Sequence, residues 1–257
     1  MPTPPEPAGR ARRHRSDGPV RGLGAILWLL ALTALLVGCS TGVSPTRPTD
    51  SGEATASGQA PSPLPEGQRY AVDPTASHLR IILGTEGPLA ALGHPHVIGG
   101  PVISGTVVVT QPWQDSVFRL EIPVDRLEVD RAEWRAAEGL EPDVPEGAIA
   151  ATRRNMLSET QLNAAAHPVI RLESLGMTGP AWQADVRFRV TIAGLRSMHT
   201  VPVAIEREGD RITATGQLRT RFSELGLAPY SALGGGLRVA DELRIRFRVE
   251  AINEHSP

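Results

Sequence analysis

From Tyr70 onward apolar and polar residues alternate with a period of two. The clearest run sets Trp182, Ala184, Val186, Phe188, Val190 and Ile192 against Gln183, Asp185, Arg187, Arg189 and Thr191. Successive side chains of a strand point to opposite faces, so this segment is predicted to bury one side and wet the other. Phe118, Leu120, Ile122 and Val124 alternate in the same way with Arg119, Glu121 and Asp125. Near the end, Leu243, Ile245, Phe247, Val249 and Ala251 face away from Arg244, Arg246, Arg248 and Glu250. A charged outer face is what antiparallel strands standing in water require. Further strands are predicted at His78–Leu83, Val102–Thr110, Val169–Ser174, Thr200–Arg207 and Arg211–Thr220. Glu208-Gly209-Asp210 reads as the hairpin turn between the last two. About eight strands at this spacing predict an all-β fold, an eight-stranded antiparallel meander closed into a barrel. Closure also removes the open edges on which strands aggregate.

The period breaks between Asp130 and Ala166. Arg131 to Glu138 reads as helical, and Pro145 is suited to begin a second helix, where its missing N–H costs nothing. The run from Ile149 to Ala166 carries Met156, Leu157, Leu162 and several Ala at roughly helical spacing. The expectation is a short helical insert placed to cap one mouth of the barrel.

The N-terminus has a different pattern. Arg10, Arg12, Arg13, Arg15 and Arg21 precede an apolar run from Leu23 to Val37, broken only by Gly24 and Thr33. A charged segment followed by an apolar run of about 15 residues has the form of a secretory signal. It is shorter than the roughly 20 residues that span a bilayer comfortably. The run ends in Leu36-Val37-Gly38-Cys39-Ser40, which resembles a lipobox, the cleavage and lipidation signal of bacterial lipoproteins. That resemblance implies cleavage after Gly38 and lipidation of Cys39. Arg12-Arg13 lack the rest of a twin-arginine motif, so export by the general secretory route is expected. Residues 39–69 are rich in Pro, Ser, Thr, Gly and Ala and read as a flexible linker. The division expected is residues 1–38 signal peptide, 39–69 lipidated Cys39 and linker, 70–252 barrel, and 253–257 tail.

Composition narrows the chemistry. All 26 basic residues are Arg, so lysine general bases, Schiff bases and the phosphate-binding lysine loop are excluded. Past residue 38 the chain carries 21 Arg against 26 Asp plus Glu, a net charge of −5 that does not suit a nucleic-acid partner. Cys39 is the single cysteine, which excludes intrachain disulfides and cysteine zinc sites. No GxSxG, no HExxH and no paired carboxylates in a defined context occur, and no enzyme activity or cofactor is expected.

Four stretches in order resemble the YceI family of extracytoplasmic, lipocalin-like barrels. Tyr70-Ala71-Val72-Asp73-Pro74-Thr75-Ala76-Ser77 is similar to the family's aromatic-x-hydrophobic-Asp-Pro-x-x-Ser opening. Ala151 to Leu157, leading to His167-Pro168-Val169-Ile170 and Ser174, matches its helical insert and the Pro-strand-Ser segment that follows. Val190-Thr191-Ile192-Ala193-Gly194-Leu195 with Val201-Pro202-Val203 resembles its middle hairpin, and Arg221 to Leu227 its Arg-x-x-Phe-Gly turn. The likeness runs from about Tyr70 to Ile252. The insert lacks the commoner members' Arg-Asp pair and double Phe, and Leu92-Gly93-His94-Pro95-His96 stands where many have one His. This marks a divergent branch. The resemblance implies a barrel holding an isoprenoid-like lipid, polyprenyl or quinone-related, in its interior. An eight-stranded barrel is either filled by side chains or encloses one ligand.

Phe118, Leu120, Trp182, Val186, Phe188, Phe247 and Val249 are the interior positions expected to meet such a ligand. For any one of them taken singly, ordinary core packing is the stronger reading. His94 and His96, two apart, share a face if they lie on a strand. They begin a metal site only with a third ligand; His78, His167 and His199 are distant in sequence and nothing in it brings them together, so no metal site is assigned. They are also candidates for meeting a polar headgroup, together with Arg153, Arg154 and Asn155 of the insert. Two rivals to the lipid carrier are carried forward: a histidine-centred metalloprotein or enzyme, and an envelope interaction module that binds no ligand. The expected partners are an isoprenoid-like lipid and a membrane reached through Cys39, with the outer membrane, facing the periplasm, expected in a Gram-negative cell.

Overall fold

The computed structural model describes residues 63–255; the signal segment, Cys39 and most of the linker lie outside the described residues. In chain order the strands are β1 (Gln68–Val72), β2 (His78–Glu86), β3 (His96–Gly100), β4 (Ser104–Val109), β5 (Val117–Pro123), β6 (Glu128–Val129), β7 (Val169–Thr178), β8 (Gln183–Ile192), β9 (Leu195–Glu208), β10 (Arg211–Arg221), β11 (Ser231–Ala232) and β12 (Leu237–Asn253). Two helices, α1 (Ala132–Ala137) and α2 (Glu146–Leu157), interrupt them.

The strands close an eight-stranded antiparallel barrel, as the alternation predicts. Around the wall the order is β1-β4-β5-β7-β8-β9-β10-β12, and β12 returns to β1. The long β12 is the seam. Ala251–Asn253 pair with β1, while its earlier residues from Arg238 to Arg248 pair with β2. One strand therefore serves two neighbours in succession, and β2 carries β3 and then β6 beyond the closed wall. The strand expected at His78–Leu83 is β2, which takes the place beside β12 that β1 holds further along and turns Leu79, Ile81 and Leu83 to the barrel interior.

Several boundaries differ from expectation for local reasons. β9 starts at Leu195, well before the expected Thr200, because a two-residue turn joins it directly to β8. Ala193 and Gly194 both adopt positive φ, 50° and 78°, the backbone that tight hairpins favour. A Cβ on Gly194 would come within 2.8 Å of the His167 ring. At the Glu208-Gly209-Asp210 turn, Gly209 takes φ 56° and the hairpin is as expected. The strand read through Val124 stops at Pro123, and Val124 is buried in a short 3-10 turn. The helical run expected to Ala166 ends at Leu157. Ser158 turns extended there, its hydroxyl donating to the Asn155 carbonyl, and successive turns continue to Ala166.

Trp182 is the largest departure. It precedes β8, is 67% exposed and sits at the barrel rim. A bulky aromatic in phase with an inward-facing run reads as core, yet the strand has not begun at that residue.

Outward charges pair across neighbouring strands, as in Arg171 with Glu121 at 3.1 Å and Arg189 with Glu173 at 3.2 Å. Such exposed pairs contribute at most about 1 kcal/mol each, so the core carries the fold. α1 is tied down differently. The Arg80 guanidinium lies 3.8 Å over the buried Trp134 ring. Glu138 at the helix end meets both Arg244 and Arg246 of β12.

Candidate functional site

The inward faces of the barrel strands do not meet. They enclose a cavity of about 960 Å³ whose lining residues come from both ends of the strands. Its wall is apolar almost throughout, with Leu79, Ile81, Phe118, Leu120, Val186, Phe188, Val203, Ile245 and Phe247 among the contributors. Small and medium side chains make up most of this wall and leave the space open. α2 lies at one mouth. Ala148, Ala151, Thr152, Asn155 and Met156 face the cavity there.

The structure places the predicted interior residues as follows. Phe118, Leu120, Val186, Phe188, Phe247 and Val249 all line the cavity from strands, and Trp182 lines it from the rim. Of the five possible headgroup contacts, His94, His96 and Asn155 also line it. Arg153 and Arg154 do not. Both are exposed on the outer side of α2, and Arg153 donates to the Asp125 carbonyl. A three-residue run on a helix spans too wide an arc for all its members to point inward.

His94 and His96 sit beside a buried polar chain that the sequence did not reveal. His96 Nδ1 lies 2.6 Å from Asp130 Oδ2. The second carboxylate oxygen, Oδ1, accepts from the Val97 amide at 2.9 Å and from Arg135 Nη1 at 2.8 Å. Asp130 and Arg135 are each only 2% exposed. Arg135 donates also to the carbonyls of Pro95 and Glu141, both at 2.6 Å. It therefore fastens α1 to the start of β3 and holds the carboxylate in place. Asp130 itself adopts φ 53°, a left-handed conformation that Asp tolerates better than most residues.

Charge and burial compete here. Burial disfavours the Asp130 carboxylate, but the hydrogen bonds from His96, Val97 and Arg135 outweigh it and hold the group below the usual carboxylate range. Burial and the neighbouring His96 lower the pKa of His94, so its ring is neutral near pH 7. The two imidazoles meet edge to face, 4.7 Å between centroids. Among the described residues His94 Nε2 is buried without a hydrogen-bond partner, an uncommon and costly condition.

A second polar group, His199 on β9, interrupts the apolar wall opposite Phe188, with ring centroids 5.9 Å apart. Its Nε2 is 2.9 Å from the Ser197 hydroxyl, and burial lowers its pKa. Sequence reasoning weighed His199 only as a distant metal ligand and missed Asp130 altogether. Asp130 lies 34 residues from His96, and no spacing rule connects a strand to the turn before a helix. The positive φ that aims the carboxylate has no signal in composition.

Comparison with known proteins follows the same outline. Residues 70–251 match the YceI-like domain. Among solved structures, BcnA from Burkholderia cenocepacia is 16% identical and aligns with a TM-score of 0.52, covering 70% of this chain and 98% of that one. The YCEI protein from Campylobacter jejuni is 10% identical, with a TM-score of 0.44, 60% of this chain covered and 82% of the other. No curated protein matches. At 16% identity the likeness to BcnA establishes the fold alone.

Proposed function

Because this chain belongs to the family of YceI-like domains, we propose that it is an extracytoplasmic lipoprotein whose barrel takes up one isoprenoid-like lipid, polyprenyl or quinone-related, for sequestration or transport. The observation that carries this reading is the continuous apolar hollow of about 960 Å³. That volume is at the upper end of the roughly 300–1,000 Å³ of ordinary ligand pockets. A hydrocarbon chain gains about 0.8 kcal/mol for each methylene moved out of water, so a long chain draws its affinity from such a wall without needing polar contacts. His94, His96 and Asn155 are polar groups on the lining that suit a polar head, whereas Arg153 and Arg154 face solvent on α2. The signal-like N-terminus and Cys39 support delivery to a membrane surface, with residues 40–69 as tether. An outer-membrane position facing the periplasm follows if the cell is Gram-negative.

The test is to purify the full-length protein from membranes in mild detergent and read its mass by native mass spectrometry, followed by lipid extraction. One apolar lipid per barrel is expected, and replacing Ala214 of the cavity wall by Trp should lower its occupancy. Protein that leaves the membrane without lipid, and then fails to take up an added polyprenol, overturns the reading. Changing Cys39 to Ser should release the protein into the soluble fraction.

A further inference from the structure

We propose that His94, His96 and Asp130 form a binding site for one divalent transition-metal ion, opening onto the cavity. The three residues each offer a ligand atom, and those atoms lie within 4.8 Å of one another.

Three independent details favour an ion there. The two oxygens of Asp130 are used unequally. Oδ1 already accepts from Val97 and Arg135, whereas the only partner of Oδ2 among the described residues is His96 Nδ1. An ion between Oδ2 and Nδ1 would break one contact and leave the other two intact to hold the carboxylate. The proton on Nδ1 then moves to Nε2, so that a neutral imidazole ligates and the count of protons is unchanged. Second, His94 Nε2 is buried and lacks a partner, and coordination supplies one. Third, both rings line the cavity, so a fourth position remains for water or for the polar group of a guest. Three protein ligands with one open position is the arrangement of zinc sites that act on a bound molecule.

The donor set narrows the metal. Two imidazoles and one carboxylate suit zinc, iron(II), nickel and copper(II). Calcium and magnesium prefer shells made of oxygen and are not expected. Arg135 serves as the outer support, orienting Asp130 as such partners commonly orient metal ligands.

The experiment uses the untagged full-length protein, stripped with chelator and delipidated, and titrates it with Zn2+ by calorimetry. Co2+ absorption reports the coordination geometry. One equivalent of Zn2+ should bind, with intense visible Co2+ bands marking a four-coordinate site. His94→Ala should weaken binding by about tenfold or more, the scale on which even outer-shell partners matter. Its side chain has an unpartnered Nε2 in the metal-free protein, so circular dichroism and the melting temperature should stay near those of the parent. His78→Ala, at an exposed histidine outside the cluster, should bind as the parent does. Binding that survives His94→Ala, that is lost in His78→Ala, or that is absent from a folded parent overturns the proposal. The site does not depend on the lipid reading, since the stripped protein is tested with Zn2+ alone.

Discussion

The Ser77 hydroxyl bridges both backbone groups of Glu250, donating to its carbonyl at 3.3 Å and accepting from its amide at 3.0 Å. The two residues are 173 positions apart, and this contact lies beside the place where β12 passes from β2 to β1. Ser77 is fully buried, and the Asp73 amide donates to the same Glu250 carbonyl at 2.8 Å. The hydroxyl thus stands in for a strand residue at the break between β1 and β2 and completes the seam that closes the barrel.

Ser77→Ala should therefore destabilise the domain by about 1–3 kcal/mol, the cost of leaving the buried Glu250 amide unpaired while its carbonyl keeps the Asp73 amide. Urea unfolding checks this through a lower midpoint at an unchanged slope. A midpoint equal to that of the parent would show that the seam holds without the bridge.

Arg135→Met should cost more, about 3–5 kcal/mol, because it strands the buried Asp130 charge and removes the donor to two carbonyls. Arg171→Met, which breaks an exposed pair with Glu121, should change stability by less than about 1 kcal/mol. The contrast between the two variants, measured under the same denaturant conditions, is the decisive reading.

Gly194→Val should unfold the barrel more readily than Gly209→Val. Both glycines adopt positive φ, but at Gly194 the new side chain also meets the His167 ring, whereas nothing lies within 4 Å at Gly209. The left-handed backbone alone costs about 1–3 kcal/mol. Thermal melts of the two variants side by side should therefore separate strain from collision.

His199 predicts a dependence of stability on pH. Burial lowers its pKa below the ordinary 6.5, so the unfolded chain takes up a proton at a pH where the folded chain does not. Its contribution is absent well above 6.5 and becomes destabilising as pH falls through 6.5 toward the folded value. His199→Gln should flatten part of the loss in unfolding midpoint between neutral and mildly acidic pH. An unchanged pH profile in that variant would remove His199 as a source.

The wall of the barrel was legible because period two is a local property. Phe118, Leu120, Val186, Phe188 and Val249 point inward for the same reason they alternate with charge. Gly209 marked its hairpin by residue type, and Pro145 marked the start of α2. Leu195 to His199 did not read as strand because Leu195 and Met198 are exposed, so the alternation there is faint. That segment is extended because Ala193 and Gly194 turn it back onto β8. Trp182 read as core and is exposed, since hydrophobicity states what a side chain prefers and not where its strand begins.

Taken alone, the order of residues determined a barrel of half-buried strands, a helical interruption, and the absence of lysine and of intrachain disulfide chemistry, and it supplied the expectation of a signal-like segment before Cys39. Tertiary structure decided what alternation cannot encode. It set the distance between opposing walls, and so left a hollow instead of a packed centre. It also brought Asp130 and Arg135 to His96. Those outcomes arise from contacts between residues far apart in the chain, where closure of the barrel, rather than any local preference, sets the spacing.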